Sequence, residues 1–225
     1  MGKFRKLSIG LGVLALFSGS AFATPIGPGV AHATGTILID SAGISFSNFA
    51  STGPDTGSYM GTTSVTQGNL PGPPTVAVNI TDWVTFNGPV TGAILFDLQE
   101  MDPGFGTLAP CFANDLHTSC TPSATSPITL VQISANEVLL FLHGGGIAYN
   151  ATGGTTQTVV DFTSQNYIPG TITGILAAIH SENGFTDSVL ATYTSTVSLP
   201  EPMTFSTMAV GFLGLGLIYR RRKKS

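Results

Sequence analysis

Residues 24–199 contain no lysine and no arginine. All eight basic residues of this 225-residue chain sit at its ends: Lys3, Arg5 and Lys6, then Arg220, Arg221, Arg222, Lys223 and Lys224. The interval holds every one of the twelve acidic residues except Glu201, so it is net −11 with histidine neutral, whereas the whole chain is −4. That absence excludes the positive footprint of a nucleic-acid-binding or anionic-headgroup-binding surface. Cations, basic partners and neutral glycan remain compatible with it, and a surface rich in uncharged Thr and Ser also needs carboxylates for solubility. Cysteine is nearly absent as well: Cys111 and Cys120 are the only two. The chain has no Gly-x-Ser-x-Gly pentapeptide and a single tryptophan, Trp83.

What the ends do contain reads as an address. Residues 1–23 carry a basic start, an apolar stretch over 7–17 and Ala21-Phe22-Ala23 as a small-x-small cleavage site. This is the pattern of a secretory signal peptide, which predicts a mature chain beginning at Thr24. At the other end, residues 204–219 lack any charge and precede the basic cluster. Sixteen helical residues reach about 24 Å, short of a core of about 30 Å. Snorkelling basic side chains, Tyr219 in the headgroup layer and local thinning make up the difference. The basic cluster then stays cytoplasmic and places the preceding residues across the membrane.

Pro200-Glu201-Pro202, the short apolar run and Arg220-Arg221-Arg222 together resemble the PEP-CTERM sorting signal of exported bacterial proteins. The resemblance covers residues 200–225. It implies processing near Pro200, Glu201 and Pro202 by an exosortase, a membrane-embedded cysteine transpeptidase; the N-terminal pattern by itself predicts signal peptidase acting at Ala21, Ala23 and Thr24. The resemblance also implies a transient membrane anchor, then the surface or extracellular matrix of a Gram-negative bacterium that secretes polysaccharide, with exopolysaccharide a candidate partner. The prolines would hold the segment extended and accessible above the bilayer.

Residues 24–199 are long enough for one domain. Rich in Thr, Ser, Gly and β-branched residues, they predict strands. Residues 36–40 and 44–49 read as a hairpin around Ser41-Ala42-Gly43, and 53–74 mostly as loop. Period-two alternation marks Val76, Val78, Ile80, Val84 and Phe86, then Val90, Ile94, Phe96 and Leu98, with Asn87-Gly88-Pro89 as the turn between. Further strands are expected over 128–133, 137–143 and 155–162, and a last one with Val189, Ala191, Tyr193, Val197 and Leu199 on one face. Ile172, Ile175, Leu176 and Ile179 are spaced for one short helix, with Asn183-Gly184 as its C-cap. The fold class expected is mainly β, an antiparallel sandwich with one covering helix, flanked by the signal peptide and the C-terminal transmembrane helix. Ser119-Cys120-Thr121-Pro122, the strands after Pro127, the Ile-rich helix and the last Thr-rich strand are similar to small exported PEP-CTERM proteins of uncharacterised function. That similarity brings no activity with it.

Site candidates inside the domain are sparse. In an exported domain with no other cysteine, Cys111 and Cys120 predict a disulfide; His117 between them does not complete a zinc pattern. His143-Gly144-Gly145-Gly146 matches the oxyanion-hole sequence of lipase-type hydrolases. Without a nucleophile elbow, it reads as a glycine-rich hairpin turn between Phe141 and Tyr149. Asp97, Glu100 and Asp102 precede Pro103-Gly104 and are read as an acidic turn with calcium as the alternative. By alternation Trp83 faces away from Val84 and Phe86, where it could stack on a sugar. His32, His117 and His180 have no partner visible in sequence. The expectation is a non-enzymatic, cofactor-free surface or matrix protein, followed by a glycan- or calcium-binding module, with a secreted hydrolase third.

Overall fold

The computed structural model describes residues 26–71, 77–89, 92–113 and 115–196. The signal peptide, Val90, Val197, Leu199 and the whole sorting segment lie outside them. Among the described residues no helix is long and apolar enough to cross a membrane.

The domain is mainly β and antiparallel, but its strands form one sheet rather than the two of a sandwich. The strands are β1 (Gly29–Asp40), β2 (Gly43–Ser51), β3 (Ser64–Gln67), β4 (Leu70–Pro71), β5 (Ala77–Asn87) and β6 (Ile94–Met101). They continue with β7 (Ser119–Cys120), β8 (Thr129–Ser134), β9 (Glu137–Asn150), β10 (Thr155–Ser164), β11 (Ile168–Pro169) and β12 (Phe185–Ser195). The order is β3-β5-β6-β9-β10-β12-β1-β2-β4. Its two ends are consecutive pieces of chain: Ser64–Gln67 pairs with β5, and Leu70–Pro71 pairs with β2. Between them Gly68 donates to the Trp83 carbonyl (2.7 Å) and Asn69 Oδ1 accepts from the Phe46 N–H (2.8 Å). This strap curls the sheet nearly into a barrel, which hides edges that an open sheet would expose. Residues 53–74, expected mostly as loop, therefore contain the strap; its Gly, Thr and Pro content masks two very short strands.

Alternation supplies the inside of the barrel. On β12, Val189, Ala191 and Tyr193 are fully buried, as their period predicts, and β9 alternates over its whole length. Phe46, Trp83, Phe86, Phe96, Phe162 and Tyr193 meet mostly edge to face, at centroid distances such as 5.5 Å for Phe46–Trp83 and 4.9 Å for Phe86–Tyr193. Buried phenols find partners: Tyr59 Oη lies 2.7 Å from Ser195 Oγ, and Tyr193 donates to Gln67 Oε1 at 2.8 Å. Burial pushes the ionisation of both phenols up.

Trp83 is in this core at 1 % exposure, so its ring is not offered to a sugar. The strict alternation fails at the preceding residue. Asp82 takes a left-handed φ of 52°, and the pairing of β5 with β6 shifts register between Ile80 and Val84. A bulge of this kind lets two successive side chains face the same way, so both Trp83 and Val84 point inward.

The predicted helix is present as Ile172–Ile179 and buries Ile172, Ile175 and Ile179. Thr171 caps it, accepting from Gly174 N at 3.2 Å. Gln132 of β8 docks it, its Oε1 accepting from Ile172 N at 2.9 Å. The C-cap is His180; Gly184, with φ of 64°, belongs to the next turn. A second, four-residue helix spans Pro110–Ala113.

Candidate functional site: a cleft where one strand changes partners

Strand β9 is fourteen residues long and outlasts each neighbour on its flank. On one side its C-terminal half pairs with β6, ending at Met101 opposite Gly144. Its N-terminal half pairs with β8, beginning at Thr129 opposite Phe141. At Leu142 and His143 the partner changes, and a cleft of about 370 Å³ opens there. Its lining includes Asp102, Phe105, Thr129, Phe141, His143 and Asp161.

Each wall follows from local structure. The Asp102 N–H donates to the His143 carbonyl at 2.9 Å, carrying β6 one residue further before Pro103 turns it away. Phe105 N donates to Thr129 Oγ1 at 2.9 Å. Gly104 is required between them, because a Cβ there would lie 2.7 Å from both Thr121 Oγ1 and Thr129 Oγ1. The loop leading from Phe105 to β8 is closed by the Cys111–Cys120 disulfide, with Cα atoms 5.0 Å apart, as the cysteine count predicts. Phe105, 61 % exposed, meets Phe141 at a centroid distance of 5.8 Å.

His143 lies between two carboxylates. Its Nδ1 is hydrogen-bonded to Asp161 Oδ1 across the β9–β10 pair, and its Nε2 is 3.2 Å from Asp102 Oδ2. All three side chains are roughly half exposed. With both ring nitrogens turned to carboxylates, the imidazolium form can donate to both and a neutral tautomer to only one. Neither nitrogen is turned toward a hydroxyl nucleophile. The carboxylates sit on opposite sides of the ring, and among the described residues no three His, Cys, Asp or Glu side chains are grouped to hold a metal ion.

The neighbouring glycines are not a hairpin turn. Gly144, Gly145 and Gly146 run mid-strand, with β6 on one side and β10 on the other. None of the three has a left-handed φ. Gly144 and Gly146 are glycines because β6 crosses close at its own register shift between Leu98 and Glu100, whereas at Gly145 a Cβ would meet nothing nearer than 3.5 Å. A Cβ on Gly144 would sit 2.8 Å from Met101 Sδ, and one on Gly146 would overlap the Asp97 carbonyl. The turn lies further on, at 151–154, where Asn150 Oδ1 accepts from Thr152 N at 3.1 Å and Gly154 N at 3.0 Å.

Chain and family comparisons add no identity. No family model, curated protein or solved structure matches the chain.

The three carboxylates expected as one acidic turn are split. Asp97 and Glu100 belong to strand β6, and Asp102 serves the cleft. Asp97 Oδ1 instead accepts from the Asp82 N–H at 2.7 Å. Asp82 in turn accepts from the Tyr149 hydroxyl, and this bond first, then desolvation and the Asp97 charge, pushes the Tyr149 ionisation well up. His180 Nδ1 lies 2.7 Å from the Leu176 carbonyl, and His117 has a left-handed φ of 59°. His32 Nδ1 is buried without a partner. None of these three reaches the cleft.

Sequence reading missed Asp161 and Phe105 of the cleft, and the Tyr149–Asp82 bond outside it. For Asp161 a signal existed: the Asn-Ala-Thr-Gly-Gly turn sets the β9–β10 register, which places Asp161 opposite His143. For the others the information lies in loop geometry and in the bulge at Asp82.

Proposed function

We propose that the chain is an exported, non-enzymatic cell-surface or extracellular-matrix protein, delivered by its N-terminal signal and held, then processed, through its C-terminal sorting segment. The observation that carries this is the placement of charge: every lysine and arginine lies in the two terminal segments, in the order a signal peptide and a stop-transfer sequence require. The disulfide on the cleft loop supports the reading, since such bonds persist in oxidising compartments. A tightly filled, strap-closed β domain suits a structural module outside the cell. Its partners on this reading are signal peptidase, an exosortase, the membrane during sorting and exopolysaccharide at the surface.

Intact-protein mass spectrometry on membrane and secreted fractions of the native host tests it. The expected species begins at Thr24 and lacks the segment beyond Pro200-Glu201-Pro202. A full-length C-terminus at Ser225 in the membrane, with no shorter form, would eliminate processing. A species retaining Met1 in the cytoplasm would eliminate export. Tryptic mapping is blind here, because residues 24–199 offer no cleavage site.

A further inference from the structure

We infer that the cleft between β6 and β8 is a binding site for a small organic cation, a guanidinium or ammonium group on an apolar stem. The inference stands apart from the route by which the chain is delivered. Three independent features of the cleft converge on it.

The first is the polarity of its charged groups. Asp102 and Asp161 each give one oxygen to His143, Oδ2 and Oδ1 respectively. The second oxygen of each half-exposed carboxylate can only accept, so a ligand must bring N–H or O–H donors. The second is the wider field. No lysine or arginine occurs anywhere in residues 24–199, so histidine is the only side chain there that can oppose a positive ligand. The third is the wall. Phe105, largely exposed, and Phe141 place two neighbouring ring systems in the lining, beside Pro103 and Pro127. Aromatic faces attract cations within about 6 Å and cover an apolar stem, and planar guanidinium both stacks on rings and pairs with carboxylate. A volume of about 370 Å³ falls at the small end of ligand clefts. That size suits a short alkyl cation. Fixing the loop by the disulfide and by the Phe105 N–H bond to Thr129 keeps the wall in place before a ligand arrives.

The test uses the full-length protein in neutral detergent and agmatine, which carries a guanidinium and an ammonium on an alkyl stem. Isothermal titration should show saturable binding that weakens at least tenfold in Asp161→Asn and in Phe105→Ala. Asp82→Asn removes the same charge outside the cleft and should change affinity less than twofold. Thermal scans verify that each variant is folded; Phe105 is exposed and Asp161 half-exposed, so both changes are mild. Equal weakening by Asp82→Asn and Asp161→Asn would reduce the effect to general surface charge and overturn the site. Heat from maltotriose with none from agmatine would assign the cleft to a neutral glycan instead, and silence with both would remove it as a binding site for either.

Discussion

Three adjacent glycines permit a test of the β6–β9 crossing by single methyl groups. In Gly146→Ala the new Cβ overlaps a backbone oxygen, that of Asp97, and also comes within 3.0 Å of Phe96 Cε2. Backbone cannot rotate away as a side chain can, so β6 and β9 must separate or the ladder must slip. Overpacking of this kind costs about 1–3 kcal/mol, and disturbing the pairing at a register shift should place it at the upper end or beyond. In Gly144→Ala the nearest atom is the flexible Met101 Sδ at 2.8 Å, but the Glu100 carbonyl follows at 2.9 Å, so about 1–2 kcal/mol is expected. In Gly145→Ala the nearest atom is Glu100 Oε1 at 3.5 Å, an ordinary contact on the outer face. There the loss of glycine's unfolded-state freedom dominates, and the variant should be unchanged or up to about 1 kcal/mol more stable. At about 2–4 °C per kcal/mol for a domain of this size, melting temperatures should rank 145 at or above wild type, then 144, then 146. Far-UV thermal melts and urea titrations measure it. Three equal effects, or a tolerated Gly146→Ala, would mean that Gly144 and Gly146 are not pinned between two strands, and the crossing geometry would be wrong.

Two further perturbations probe the core and the acidic surface. Trp83→Ala should destabilise by about 3–5 kcal/mol, seen as an early urea midpoint, because the ring is enclosed by Phe46, Phe96 and Phe162; a surface sugar platform would instead lose almost nothing. Asp187 is half-buried with Oδ2 unpartnered, and desolvation, partly offset by Ser164 and the Ser188 N–H, raises its ionisation above the usual range. A carboxyl raised in the folded state contributes stability that is complete below the unfolded value and lost as pH rises through the folded one. Asp187→Asn should therefore raise the melting temperature at pH 7 by at most a few degrees, and the advantage should vanish by about pH 3; a constant difference across pH would refute the sign.

The long alternating stretches were legible because burial on one face leaves a period-two trace: β9, β10 and β12 follow it, and the helix at Ile172–Ile179 shows the 3.6 period with equal clarity. Trp83 was misplaced because a single left-handed residue, Asp82, resets the phase. The glycines were misplaced because the reason for Gly144 and Gly146 lies on another strand, at the Leu98–Glu100 shift, and no local pattern records how closely a neighbour approaches. The strap was hidden for the opposite reason, since β4 comprises only two residues. Of the cleft, His143 and Asp102 stood out as residue types. Their meeting with Asp161 and Phe105 depends on a change of partner along β9, which is a property of the sheet.

The pairing of β1 with β12 joins the first strand to the last: Gly29 lies opposite Ser195 and Ile39 opposite Phe185. Strand β1 can meet β2 early through its tight turn, but its other edge waits for a partner about 145 residues downstream, roughly 7–30 s of synthesis at ordinary rates. Throughout that interval the nascent chain carries an unsatisfied strand edge next to buried-to-be isoleucines such as Ile37 and Ile39. A sheet that is seamed by its two extremities cannot close until its final strand is made.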